Sequence, residues 1–112
     1  MTDLAKKKCV PCEGGVPPLN EHQAKELLAE LSDTWRIIGH NLTGEFKFKE
    51  YGKETDFVQS VMKLAIEEDH HPDLNVRYGK VRIDLFTHAI RGLSENDFIL
   101  AAKIDQLSDT KH

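Results

Sequence analysis

From Leu42 to Lys49 apolar and polar positions alternate, with Leu42, Gly44, Phe46 and Phe48 on one side and Thr43, Glu45, Lys47 and Lys49 on the other. A period of two predicts a half-buried strand with one inner face. The period returns more regularly later, where Val81, Ile83, Leu85 and Thr87 alternate with Arg82, Asp84, Phe86 and His88. That alternation predicts His88 at the strand's end, on the face opposite Val81, Ile83 and Leu85. Trp35–Ile38 is a short run of β formers before the turn signal Gly39-His40-Asn41, so it forms a hairpin with the strand that follows. Asn75–Tyr78 is a short strand leading through Gly79 into the regular one.

Elsewhere the period changes to that of a helix. Ala24, Leu27, Leu28 and Leu31 predict a helix over 21–32, with Asn20 as N-cap and Gln23 completing a capping box. Phe57, Val58, Val61, Met62, Leu64 and Ala65 make a broad apolar stripe from about Thr55, and the helix carries on through Glu67-Glu68-Asp69. Pro72 should end it, which puts His70 in its last turn and His71 just beyond, in extended backbone. Ser94 and Asp97 form a second capping box, opening a helix over 95–107 that carries Phe98, Ile99, Ala101, Ala102 and Ile104. The order α-β-β-α-β-β-α argues for an α+β fold, a four-stranded antiparallel sheet with three helices on one face. Residues 1–19, with Gly14-Gly15 and Pro17-Pro18, read as an extended or poorly ordered tail, and residues 20–108 as one domain.

Composition narrows the function. With 112 residues the chain supports one core. No apolar run approaches the roughly 20 residues that cross a bilayer, and no apolar segment follows Lys6-Lys7-Lys8 to make a secretory signal. A cytoplasmic location is therefore expected. A formal net charge of −4 with scattered basic residues argues against nucleic acid as a partner. Cys9-Val-Pro-Cys12 has metal or redox spacing, but it lies in the tail with no second pair, so a non-catalytic role is favoured.

The chemistry concentrates between Glu67 and His88. A helix C-terminus favours a cation, and Glu67 one turn back favours the imidazolium, so His70 reads as a candidate acid. His71 and His88 turn a lone histidine into a constellation in which one imidazole can give a proton while another takes one. Three histidines can also bind zinc, but neighbours such as His70 and His71 tend to point apart and no fourth ligand is evident, so no metal is expected. Tyr78 and Phe86 read first as packing residues that could flank a flat ring, and Asp97 as a capping residue.

Several stretches carry a resemblance: Trp35, Phe46-Lys-Phe48, Asp69-His70-His71-Pro72-Asp73, Tyr78-Gly79-Lys80-Val81, Thr87-His88, Gly92-Leu93-Ser94 and Asn96-Asp97-Phe98. Over residues 20–107 the chain resembles the pterin-4a-carbinolamine dehydratases. The resemblance implies the fold read above. It also implies a reaction, loss of water from a 4a-hydroxytetrahydropterin to give the quinonoid dihydropterin, which recycles the pterin cofactor of aromatic amino-acid hydroxylases. The pterin is then the substrate, and no cofactor is needed. The family's three pterin-site histidines fall on His70, His71 and His88, and its aspartate on Asp97. Where many members carry a glutamate this chain has Ile66; Glu67 lies about 100° around the helix, so either Glu67 takes over that contact or the contact is missing. The family also implies a homodimer or homotetramer. It offers two alternatives to the enzyme: a protein-binding module, since animal members act as dimerisation partners of a homeodomain transcription factor, and a role in molybdopterin metabolism.

Overall fold

A computed structural model describes residues 4–9 and 17–111, with side chains described as far as Leu107. The elements run α1 (Glu21–Leu28), β1 (Trp35–Ile38), β2 (Asn41–Lys47), α2 (Lys53–Glu68), β3 (Asp73–Arg77), β4 (Lys80–Leu85) and α3 (Glu95–Lys111), the order expected from the alternating periods. The four strands form one antiparallel sheet in the order β1-β2-β4-β3. Register pairs Leu42 with Leu85, Gly44 with Ile83 and Phe46 with Val81, so the apolar sets of the two long strands share one face.

That face is the floor of the core. Leu42, Val81, Ile83 and Leu85 are fully buried beneath Phe57 and Val61 of α2 and Phe98, Leu100 and Ile104 of α3. From Asn96 to Ala102 every residue of α3 is buried, as expected of a helix packed on several sides rather than along one stripe. The sheet's other face carries Arg36, Glu45, Lys47, Asn75, Arg77 and Arg82, so the helices lie on one side only.

Two expectations about the ends change. The helix predicted over 21–32 stops at Leu28, although its Asn20–Gln23 capping box forms in full. Residues 29–34 become turns, and Asp105 of α3 accepts hydrogen bonds there from the Ser32 N–H (3.0 Å), the Ser32 hydroxyl (2.8 Å) and the Trp35 indole N–H (2.9 Å). These tertiary bonds outcompete one more helical turn. The tail also departs from expectation where it is described. Leu4–Lys6 form a 3₁₀ turn, Leu4 is fully buried in the core, and Lys7 pairs with Glu95 at 2.8 Å.

Gly44 is required by packing. A Cβ there would lie 2.8 Å from the Trp35 ring, which covers the inner face of β2.

Glu54 ties the start of α2 to the β3–β4 turn. Its carboxylate accepts the Gly52 N–H at 2.9 Å and the Gly79 N–H at 2.7 Å. Hydrogen bonds from backbone N–H groups, its own first and then those of Gly79 and Gly52, hold the carboxyl below its ordinary value of 4.5, against the opposing effect of burial. A carboxyl with a lowered folded-state value stabilises the fold above its ordinary range and loses that contribution as pH falls through the folded value. The gap in Tm between the native chain and a Glu54→Gln variant should therefore be wide at about pH 6 and narrow at about pH 3. Melts by circular dichroism with an equal gap at both pH values would contradict this.

Candidate active site

The three histidines of the 67–88 segment meet at one end of the sheet. A cavity of about 340 Å³ is lined by Asp69, His70, His71, Phe86, Thr87, His88 and Ala89. Its size is within the range that holds small molecules.

The end of α2 delivers His70 and His71. The helix stops at Glu68, two residues earlier than the placement of His70 in its last turn would require. Asp69 takes the left-handed conformation (φ 52°), its N–H bonds to the Ile66 carbonyl at 3.3 Å, and the His70 N–H bonds to the Ala65 carbonyl at 3.1 Å. This is a Schellman stop, and aspartate is one of the few residues that tolerate it. The chain therefore reverses before Pro72 acts. His71 is exposed, and β3 begins directly after Pro72.

His88 arrives by a different device from the one its alternation predicts. Strand β4 ends at Leu85, and His88 opens a 3₁₀ turn, His88–Ile90. Thr87 and Gly92 bridge the base of that turn, with the Thr87 N–H to the Gly92 carbonyl at 3.0 Å and the Gly92 N–H to the Thr87 carbonyl at 3.3 Å. His88 remains exposed, and its ring meets the Phe86 ring edge-on at 5.1 Å.

Beneath the histidines lies Asp97, with no exposed surface. One carboxylate oxygen bonds His70 Nε2 at 2.6 Å. The other accepts the Thr87 hydroxyl at 2.8 Å and the Ser94 N–H at 2.9 Å. The Ser94 bond is the half of a capping box in which the Asp97 carboxylate reaches back to the residue before α3, so one residue both opens the helix and holds the imidazole. An ionised carboxylate only accepts, so against it His70 donates from Nε2, and in the neutral ring Nδ1 is then the acceptor nitrogen.

The sequence-derived candidates thus separate. His70, His71, His88 and Asp97 come together. Glu67 is exposed, and the carboxylate that meets His70 belongs to Asp97 instead. The left-handed step at Asp69 breaks the helical spacing that made Glu67 a neighbour of His70. Tyr78 is 84% exposed at the β3–β4 turn, edge-on to Tyr51 at 4.9 Å, and does not line the cavity. Thr87 had no assigned role, and Ser94 had only that of N-cap to the last helix. The available signal was that Thr87 continues the buried series Val81, Ile83, Leu85, which puts a hydroxyl on an inner face where it needs a partner.

Behind the site, Glu68 is buried and accepts Lys103 Nζ and the Cys9 N–H, both at 2.8 Å. Burial alone would raise its carboxyl, but the Lys103 ammonium and the Cys9 N–H hold it below the ordinary range. The Cys9 thiol lies 3.6 Å from the Asn96 carbonyl. Burial pushes this thiol up to about 12, with the Glu68 carboxylate adding to the effect. At neutral pH it is a thiol and not the thiolate that attacks or ligates. Cys12, its partner in the Cys-x-x-Cys spacing, lies outside the described residues. Among the described residues no three His, Cys, Asp or Glu side chains converge as a metal site, and no helix is long and apolar enough to cross a membrane.

Comparison with known proteins gives a consistent result. The family model for pterin 4 alpha carbinolamine dehydratase matches residues 17–107. A protein of Nitrosomonas eutropha is 50% identical over 105 residues, 94% of this chain and 93% of its own. One from Rickettsia canadensis is 49% identical over 107 residues, 94% of this chain and 97% of its own. Both carry the family's name provisionally. A crystal structure from Brucella melitensis, described as a transcriptional coactivator/pterin dehydratase, superposes with a TM-score of 0.76 at 30% identity, over 81% of this chain and 98% of that one. A pterin dehydratase-like protein described as a RuBisCO assembly factor in the alpha-carboxysome gives 0.58 at 27% identity, over 67% and 89%.

Proposed function

The chain belongs to the pterin 4 alpha carbinolamine dehydratase family, and from that membership we propose that it dehydrates a 4a-hydroxytetrahydropterin by histidine acid–base catalysis. The observation that carries this reading is the 2.6 Å bond between His70 Nε2 and buried Asp97, in a cavity shared with His71 and His88.

The reaction needs two proton transfers. The proton on N5 leaves, its electron pair forms the N5=C4a double bond, and the C4a–O bond breaks as the hydroxyl accepts a proton and departs as water. With Nε2 committed to Asp97, His70 offers Nδ1 as the base for the N5 proton. This reverses the acid role that a place in the last helical turn had implied. His88, exposed on its 3₁₀ turn, is the acid for the leaving hydroxyl. His71 binds the ring, and Phe86 supplies an apolar wall. General acid–base catalysis of this kind contributes about 10²–10⁴-fold.

The test is to generate the carbinolamine chemically and follow its decay by ultraviolet absorbance. The protein should accelerate the decay, and a His70→Ala, His71→Ala, His88→Ala triple variant should not. Equal rates for the two would remove the reading.

A protein-binding role is the second reading. Met62 and Ile66, one turn apart on α2, are 54% and 70% exposed, and an apolar pair of this kind fits a contact with another chain. The edge strands β1 and β3 give a further route to self-association. We place this chain in at least a dimer, and a monomer mass by light scattering at micromolar concentration would contradict that. A protein-binding role without catalysis would survive the triple-histidine variant.

A further inference from the structure

We propose that Thr87 is a positioning residue that couples the two proton-transferring histidines. Its side chain fixes the carboxylate that orients His70, and its backbone closes the turn that carries His88. The proposal rests on the dehydratase reading for its kinetic consequence but not for its structural one.

The hydrogen bonds around Thr87 have a defined direction. Thr87 is 4% exposed, and its single hydroxyl proton goes to Asp97 at 2.8 Å. The Ser94 hydroxyl, 2.8 Å from the Thr87 oxygen, must then be the donor in that pair. A chain of donors therefore runs from Ser94 through Thr87 to Asp97, and the other Asp97 oxygen meets His70. The Ser94 N–H reaches the same Asp97 oxygen as Thr87 does. A carboxylate held by two donors on one oxygen cannot rotate without losing both, so its free oxygen stays aimed at His70.

The backbone of Thr87 acts on the other histidine. The Thr87–Gly92 bridge pins both ends of the segment that carries His88. Pro18 packs against Gly92 so closely that a Cβ there would lie 2.5 Å from the proline Cβ, which holds the bridge from outside. A shift at Thr87 would thus move both histidines with respect to one bound ring, and misplacement of about 1 Å is enough to slow a positioned reaction strongly.

Thr87→Val removes the hydroxyl but keeps the branched shape and the bridge, while Thr87→Ser keeps the hydroxyl. The Ser94 N–H still satisfies the Asp97 oxygen in both. We expect Thr87→Val to lower kcat for carbinolamine dehydration about tenfold to a hundredfold, by analogy with the loss of a group that orients a metal-bound histidine. KM should stay within about twofold, and Thr87→Ser should recover most of kcat. The second readout needs no substrate. The His70 Nε2 proton should give a downfield proton NMR resonance, assigned by its loss in His70→Ala. It should be shifted or broadened in Thr87→Val and restored in Thr87→Ser. An unchanged resonance in Thr87→Val, or a Thr87→Ser variant as impaired as Thr87→Val, overturns the proposal. If the wild-type protein does not dehydrate the carbinolamine, the functional reading fails and the resonance alone decides.

Discussion

His70→Ala should lower kcat for carbinolamine dehydration by about 10²–10⁴-fold, the full contribution of a positioned acid–base group. The loss should be kinetic and not conformational. The His70 side chain is 12% exposed at the cavity wall, and the bond that caps α2 comes from its backbone N–H, which alanine keeps. His71→Ala should act differently, because His71 is exposed and, among the described residues, has no buried group orienting it; its main effect should be a raised KM. The measurement is stopped-flow ultraviolet absorbance normalised to folded protein by circular dichroism. A His70→Ala kcat within about threefold of wild type would show that the N5 proton leaves by another route.

The sequence revealed His70 more readily than it revealed its partner. Alternation in 42–49 and 81–88 and helical spacing in 57–65 were enough for the element order, the sheet's inner face and the helices on one side, because burial on one face imposes those periods directly. Capping boxes at Asn20 and Ser94 located two helix starts for the same local reason. Contacts between residues far apart in the chain left weaker traces. Glu67 looked like the partner of His70 because neighbours on a helix are predictable from spacing, whereas Asp97 is 27 residues away and reaches His70 only because α3 packs on α2.

Element ends were the other blind spot. Pro72 is a strong breaker, so it attracted the end of α2, yet the left-handed residue at Asp69 had already reversed the chain. His88 continued a regular alternation, but the Thr87–Gly92 bridge bent the chain out of the sheet. Tyr78 lay between the histidines in sequence and turned out to sit at a hairpin turn outside the cavity. The lead-in around Gly14-Gly15 and Pro17-Pro18 suggested a loose tail, but residues 4–9 dock on the core through buried Leu4, the Lys7–Glu95 pair and the Cys9 N–H bond to Glu68. The docking of residues 4–9 is decided by contacts between elements, whereas the stop at Asp69 and the Thr87–Gly92 bridge are local backbone devices that hydrophobic periodicity does not register.

Asp97→Asn should be at least as damaging to catalysis as His70→Ala, with a smaller cost in stability than Asp97→Ala. The amide has one acceptor where the carboxylate has two. Its oxygen is required by the Ser94 N–H and the Thr87 hydroxyl, which both point at one position. The backbone N–H cannot turn away, so the amide must place its NH₂ toward His70. An NH₂ donates, and His70 can meet it only with a lone pair on Nε2. The imidazole proton then moves to Nδ1, the nitrogen that faces the reaction, and the base is lost while every buried group stays bonded. An inverted tautomer of this kind costs about 10⁴-fold in kcat where it has been tested in a histidine–aspartate pair. Asp97→Ala instead leaves buried donors without an acceptor, at about 3 kcal/mol, the lower end for a broken buried pair. That corresponds to a Tm lowered by roughly 10 °C in a domain of this size. The two variants are separated by melting and by the nitrogen-15 shifts of the His70 ring, which should report the reversed tautomer in Asp97→Asn. A Asp97→Asn variant that keeps the wild-type tautomer and kcat would show that Asp97 serves only to cap α3.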